Sequence, residues 1–237
     1  MSHEHSPDFT IGFTQEFWDD RYRSSGQLWS GQPNPQLVAQ AAGLTPGEAL
    51  DVGSGEGADA IWLASLGWTV TAVDISAVAL ERAAGHAATC GNEIARRISW
   101  RQADLLSWDP GLQQYDLVSA QFMYLPAAEL ESLHRRLAAA VRPGGTLLVV
   151  LHHPDGMPLG ARPQPGPGLA GTADGRALLA LGAQPQRLAA ALDPAAFEIL
   201  VAEAIPRQVT DSDGQPATLL DTVLRAVRRP PADRSAP

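Results

Sequence analysis

Between Ala49 and His153 the chain alternates short apolar runs with stretches of helical spacing, and this alternation constrains the fold more than any other feature. "ALDV" (49–52) and "TVTAVDI" (Thr69–Ile75) are rich in Val, Leu and Ile, the composition of strands covered on both faces. Between them, Ala58–Leu66 carries Ile61, Trp62 and Leu66 at helical spacing. Ser76 stands where it can cap a helix over "AVALERAAGHAAT", which Gly91 ends. Ile98–Asp104 and Tyr115–Met123 read as the third and fourth strands. A helix from Pro126 through Val141 is expected on the spacing of Leu130, Leu133 and Leu137, and "RPGG" turns it into a fifth strand, "TLLVVLHH". Alternation of this kind predicts a doubly wound α/β fold: a mostly parallel sheet with helices on both faces and ligands beyond the carboxyl ends of the strands.

The chain is expected to form one domain, since 237 residues at 45% hydrophobic content can bury a full core. Residues 1–45 form an N-terminal helical cap segment, and 46–153 the ligand-binding core. Residues 154–175 are a Pro/Gly-rich loop, 176–229 a C-terminal helix and strand pair, and 230–237 a tail. In the C-terminal part, "FEILVAEAIPRQV" and "TLLDTVLRAVR" flank the turn-like "TDSDGQPA" and suggest an antiparallel pair finishing the sheet.

Composition removes several function classes. The formal charge of -9 opposes binding to a phosphate backbone, so no nucleic-acid partner is expected. No run approaches the roughly 20 apolar residues that span a bilayer, and the first ten residues lack the pattern of a secretory signal. A cytoplasmic protein without a membrane partner is the expectation. The single cysteine, Cys90, excludes an intrachain disulfide and Cys-rich zinc sites. All 17 basic side chains are arginine, which removes the P-loop and Schiff-base classes, both of which need a lysine.

"LDVGSGEG" (50–57) places a glycine loop after the first strand. The spacing of Gly53, Gly55 and Ala58 fits a dinucleotide fingerprint, but Asp51 and Glu56 oppose a pyrophosphate there, since like charges at close range repel by on the order of a kcal/mol or more. Asp74 closes the second strand, the usual place for an acid that binds ribose hydroxyls. Asp104 closes the third. An adenine, a ribose and positive charge without phosphate satisfy these acids together, and S-adenosyl-L-methionine has that description. A nicotinamide-dependent oxidoreductase is the alternative that Asp51 and Glu56 disfavour.

Four segments in order, "LDVGSGEG", "VTAVDIS", "RQADLLSW" and "YDLVSAQFMYL", resemble the motifs of class I S-adenosylmethionine-dependent methyltransferases, and "VRPGG" is a turn usual in that family. The leading segment "EFWDDRYRSSGQLWSGQPNPQL" is similar to that of a small-molecule subgroup including thiopurine and tellurite-resistance methyltransferases. The resemblance implies a Rossmann-like sheet of seven strands with an antiparallel last pair. It implies that Gly53, Ser54 and Gly55 admit the methionine moiety, that Asp51 contacts its ammonium group, and that Asp74 with Ile75 binds the ribose. Asp104 with Leu105 would meet the adenine, while Gln121 and Trp29 would lie near the sulfonium. For Trp18, packing of an amphipathic helix is the expectation, and for Trp62, Trp68, Trp100 and Trp108 core or sheet-edge packing.

On the acceptor side, His152 and His153 end the fifth strand, where neighbouring side chains face opposite ways. At most one is expected to point at an acceptor, as a base or an orienting group. Tyr124 and Gln121 are further acceptor contacts, and no metal is expected, because Asp155 is the only nearby third ligand. The reading is methyl transfer to S, N or O of a small-molecule acceptor. Intramolecular cyclisation of the cofactor's aminoalkyl chain, without an external acceptor, is the alternative use of the same pocket.

Overall fold

The computed structural model describes residues 14–123, 125, 127–153, 155, 184–210 and 215–230. Its elements in chain order are α1 (Gln15–Arg23), α2 (Pro35–Ala41), β1 (Glu48–Val52), α3 (Ala58–Ser65), β2 (Thr69–Asp74), α4 (Ala77–Thr89), α5 (Asn92–Arg96) and β3 (Ile98–Gln102). β4 (Tyr115–Gln121), α6 (Ala127–Ala140), β5 (Val141–His152), α7 (Pro185–Ala190), β6 (Phe197–Thr210) and β7 (Pro216–Arg228) follow. Seven strands form one sheet in the order β3-β2-β1-β4-β5-β7-β6. The first five are parallel, while β7 runs antiparallel to both β5 and β6. The expected fold class is therefore the observed one.

The order of strands reverses at β1, which pairs with β2 on one side and with β4 on the other. Here the loops after β1 and β4 diverge to opposite faces and leave a crevice. Each face of the sheet has its own core. Val52, Val118, Ala120, Val149 and Leu151 pack with Leu130, Leu133 and Leu137 of α6. Ala49, Leu117, Leu148 and Val150 pack on the other face with Leu37 of α2 and Leu63 of α3. The three leucines of α6, read from the sequence as one stripe, are all buried.

Several strand boundaries depart from expectation. β3 stops at Gln102 and β4 at Gln121, each two residues early, so Asp104 and Met123 lie in loops. Phe122 takes a left-handed conformation (φ 53°), uncommon for a residue with a Cβ, while its N–H still donates to the Val150 carbonyl at 2.7 Å. "VRPGG" is not a turn between α6 and β5. It forms the irregular start of β5, where pairing with β4 shifts between Tyr115 and Leu117 and Gly144 takes φ 81°.

Candidate functional site

The glycine loop leaves β1 through three residues with positive φ: Gly53 (70°), Gly55 (52°) and Gly57 (86°). Space as well as conformation demands glycine. A Cβ on Gly53 would overlap the Met123 sulfur, and one on Gly55 would lie 3.0 Å from the Tyr22 Oη and 3.2 Å from the Trp29 Nε1. The Gly53 and Ser54 N–H groups both donate to the Val73 carbonyl, at 2.8 and 3.0 Å, tying the loop to the end of β2.

Asp74 ends β2 under this loop. Its Oδ2 accepts from the Gly55 N–H at 2.8 Å and its Oδ1 from the Ser76 N–H at 2.9 Å. Burial raises its carboxyl above the ordinary range, and those backbone hydrogen bonds partly offset the rise. Each carboxylate oxygen has a second lone pair, so the geometry still accommodates two hydroxyl donors.

Asp51 is buried on β1, and its Oδ2 has no hydrogen-bond partner among the described residues; the same holds for the Ser54 Oγ. Burial lifts the Asp51 carboxyl well above the ordinary carboxylate range, and the nearby Asp59 and Asp74 add to the effect. Asp59 in the first turn of α3 is pushed up to about 6 by burial. Three acids and an orphaned carboxylate oxygen around one glycine loop favour a cationic group and oppose a phosphate.

Ile75, Ala103, Asp104 and Leu106 line a cleft of about 510 Å³ beyond β2 and β3, with Thr14 and Gln15 on its far side. Asp104 is exposed, and its Oδ1 accepts from the Leu106 N–H at 2.9 Å. Leu105 points the other way: its side chain belongs to the core shared with α6, and Arg136 donates to its carbonyl at 2.6 Å. Leu106, absent from the sequence-derived set, takes the place on the cleft.

The N-terminal segment is fastened over the loop by residues whose partners the sequence does not announce. The Glu56 carboxylate accepts from the N–H groups of Leu28 and Trp29, both at 3.1 Å, and from Arg82 of α4 at 3.0 Å. Glu56 thus turns from the ligand space to bind the chain's own backbone, which corrects its reading as an acid facing the ligand. Arg82 also donates to the carbonyls of Tyr22 and Ser25. Trp29 Nε1–H donates to the Tyr22 Oη at 2.8 Å, which places the indole against Gly55. Asp19 of α1 accepts from the Ser76 hydroxyl at 2.6 Å and the Val78 N–H at 3.3 Å, joining α1 to the start of α4. Trp18 is half-buried and packs edge-on against its neighbour Phe17.

Asn34 makes a second fastening. Its N–H donates to Asp59 at 2.6 Å and its Nδ2 to the Gln121 Oε1 at 2.7 Å. The Gln121 Nε2 donates to the Ser119 hydroxyl at 2.7 Å, so this amide joins the strap to the end of β4. Asp59 and Asn34 were missed from sequence. An acid in a helix's first turn is too common to single out, and their meeting spans 25 positions.

At the end of β5 the two histidines diverge as expected of adjacent strand residues. His152 pairs in register with Asp221 of β7 and stacks on Phe122, ring centroids 4.2 Å apart. His153 is buried, with its Nδ1 accepting from the Asp155 N–H at 3.2 Å and its own N–H donating to the Leu220 carbonyl. Tyr124 and residues 156–175 lie outside the described residues, and with them the expectations for that side chain and for most of the Pro/Gly-rich loop. Among the described residues no group of three His, Cys, Asp or Glu could hold a metal ion, and no helix is long and apolar enough to cross a membrane.

Residues 49–145 match the methyltransferase domain family. The chain is 28% identical over 142 residues to probable thiol methyltransferase 2 of Arabidopsis thaliana, covering 56% of this chain and 60% of that one. It is 28% identical over 148 residues to the 2-heptyl-1-hydroxyquinolin-4(1H)-one methyltransferase of Mycobacteroides abscessus, covering 58% and 64%. The matches thus span less than two thirds of either relative's length. Among solved structures, one from work on conversion of a disulfide bond into a thioacetal group during echinomycin biosynthesis superposes with TM-score 0.63 at 23% identity, covering 91% of each chain. An S-adenosylmethionine-dependent methyltransferase from Mesorhizobium loti superposes with TM-score 0.54 at 20% identity, over 82% of this chain and 96% of that one. The fold is the Rossmann-like fold seen in that solved S-adenosylmethionine-dependent methyltransferase.

Proposed function

We propose that the protein is an S-adenosylmethionine-dependent methyltransferase that acts on a small-molecule acceptor. The observation that carries this reading is the buried Asp51 Oδ2, without a partner among the described residues, beside a glycine loop ringed by carboxylates. A buried carboxylate oxygen without a donor is costly, and an ammonium group relieves that cost while a pyrophosphate adds to it. In this reading Asp51 receives the ammonium group, Ser54 lies within the methionine subsite, Asp74 holds the ribose hydroxyls, and the cleft at Ile75, Asp104 and Leu106 takes the adenine. Trp29, fixed by Tyr22, covers the methionine end, where an aromatic face attracts a cation by about 0.5–2 kcal/mol. When bound, the cofactor supplies a sulfonium methyl group open to in-line displacement by a lone pair of the acceptor.

The chain's own part is to hold the acceptor in line, keep water out and accept a proton where the acceptor carries one. His152, whose ring packs on the residue following β4, is the better placed of the two histidines for that task; His153 has its Nδ1 committed to the Asp155 N–H. The relatives named above support a small acceptor. Calorimetric titration with S-adenosylmethionine, S-adenosylhomocysteine and NAD tests the cofactor. Micromolar binding of both adenosyl ligands without NAD is the expected result. Binding of NAD alone overturns the reading.

A further inference from the structure

Asp19 and Tyr22, three positions apart and so on one side of the helix, are the two buried residues of α1. Each reaches a residue whose backbone N–H holds the Asp74 carboxylate. Asp19 accepts from the Ser76 hydroxyl at 2.6 Å, and the Ser76 N–H donates to the Asp74 Oδ1. Tyr22 brings its Oη over Gly55, 3.0 Å from where a Cβ would stand, and the Gly55 N–H donates to the Asp74 Oδ2. The buried side of α1 thus straddles the end of β2, with the phenol beside the carboxylate and not bonded to it. Among the described residues the Tyr22 Oη makes one hydrogen bond, and in it the oxygen accepts, because the Trp29 indole N–H at 2.8 Å can only donate. The phenolic proton therefore has no acceptor among them. Burial and the negative charges of Asp74 and Glu56 raise the phenol above its ordinary value, so the proton stays in place at any working pH. Tyr22 is a buried, neutral donor whose proton the fold does not use.

We propose that Tyr22 is a binding residue for the cofactor's ribose, donating its phenolic proton to the oxygen of one of the two hydroxyls whose protons Asp74 receives. This rests on the methyltransferase reading and adds to it a selection for the intact ribose diol. A hydroxyl that gives its proton to a carboxylate keeps two lone pairs on its oxygen, and in a closed site these need a donor. The Gly55 and Ser76 N–H groups flanking Asp74 are already bound to that carboxylate, so they do not supply it. The phenol beside them carries a proton without an acceptor, and leaving such a group buried and unpaired is costly. With the ribose in place, the carboxylate, the hydroxyl, the phenol and the indole of Trp29 form one chain of hydrogen bonds, in which each bond polarises the next. The N-terminal segment then holds the sugar directly as well as covering the glycine loop.

Calorimetry with S-adenosylhomocysteine and its 2′-deoxy and 3′-deoxy analogues, on the full-length wild type and Tyr22→Phe, separates this contact from packing. The variant keeps the ring and removes the proton, but it also strands the Trp29 N–H, a cost common to all three ligands. With S-adenosylhomocysteine it should lose about tenfold more affinity than with the analogue that lacks the bonded hydroxyl. The other analogue should lose as much as S-adenosylhomocysteine. Equal losses with all three ligands, or no loss with any, overturn the proposal. A second measurement does not depend on that variant folding. The chain has three tyrosines, so carbon NMR of the protein labelled with ¹³C at tyrosine Cζ can be assigned through Tyr115→Phe and Tyr124→Phe. The Tyr22 signal should reach one position with S-adenosylhomocysteine and with the analogue that keeps the bonded hydroxyl, and a different position with the one that lacks it. A single position with all three overturns the proposal. A wild type that binds none of the three overturns the cofactor reading and this contact with it. Wild-type binding together with a Tyr22 effect that ignores the ribose overturns the contact alone.

Discussion

Glu56 in the glycine loop and Arg82 in α4 meet at 3.0 Å, and their pairing secures the N-terminal segment over that loop. Glu56 collects two backbone N–H groups of that segment, and Arg82 collects two of its carbonyls. Four main-chain groups, one in the last turn of α1 and three in the segment after it, are thus bound by one ion pair.

Glu56→Ala should therefore destabilise the protein by about 3 kcal/mol or more, because it strands a guanidinium and two N–H groups in a mostly buried place. Glu56→Gln keeps an acceptor for the backbone and should cost less. Thermal unfolding of the two variants checks this. Equal losses would mean that the backbone contacts contribute nothing.

Asp74→Ala should weaken S-adenosylhomocysteine binding by roughly 10- to 150-fold, since a hydrogen bond to a charged group contributes about 1.5–3 kcal/mol. The variant also releases the Gly55 and Ser76 N–H groups, so the loop itself loosens. An unchanged calorimetric affinity would falsify the ribose assignment.

Cofactor binding should release protons near pH 6. Burial raises both Asp51 and Asp59, the latter to about 6, and an arriving ammonium group favours their ionised forms. Affinity should therefore fall as pH drops through about 6. Titrations in two buffers of different ionisation enthalpy measure the proton release directly, and equal heats in both would contradict it.

His134 on α6 should make the protein acid-sensitive. It is buried, its Nε2 has no hydrogen-bond partner among the described residues, and burial pulls it down to about 4. The unfolded chain takes up the proton near the ordinary value of about 6.5, the folded chain only near 4. Stability is thus highest above about 6.5 and falls as pH drops to 4, by about 3 kcal/mol in all from this group. In His134→Leu that part of the pH dependence of urea unfolding should vanish.

Gly53→Ala should weaken cofactor binding by roughly tenfold, because a left-handed alanine costs about 1–2 kcal/mol and the added Cβ displaces the Met123 side chain. Calorimetry with S-adenosylhomocysteine reads the loss, and a circular dichroism melt separates it from unfolding.

The order of strands and helices, the glycine loop and the acids ending β1 and β2 were legible in the sequence. Each depends on local periodicity or on a turn whose conformation only certain residues adopt. The ends of β3 and β4 were less so, because an apolar run continues past the last ladder hydrogen bond and only the neighbouring strand decides where pairing stops. Leu105 and Leu106 show the same difficulty at single-residue scale: both are leucine, and the core takes one while the cleft takes the other.

By itself the sequence determined a mostly parallel sheet and a glycine loop with acids at its carboxyl edge, since these follow from residue type and short-range spacing. Only the tertiary structure decided which polar groups are spent on holding the chain together. Glu56 with Leu28 and Arg82, Asn34 with Asp59 and Gln121, and Asp221 with His152 and Arg207 join positions 14 to 87 residues apart. A carboxylate's partner is set by which element packs beside it, and no local pattern encodes that distance.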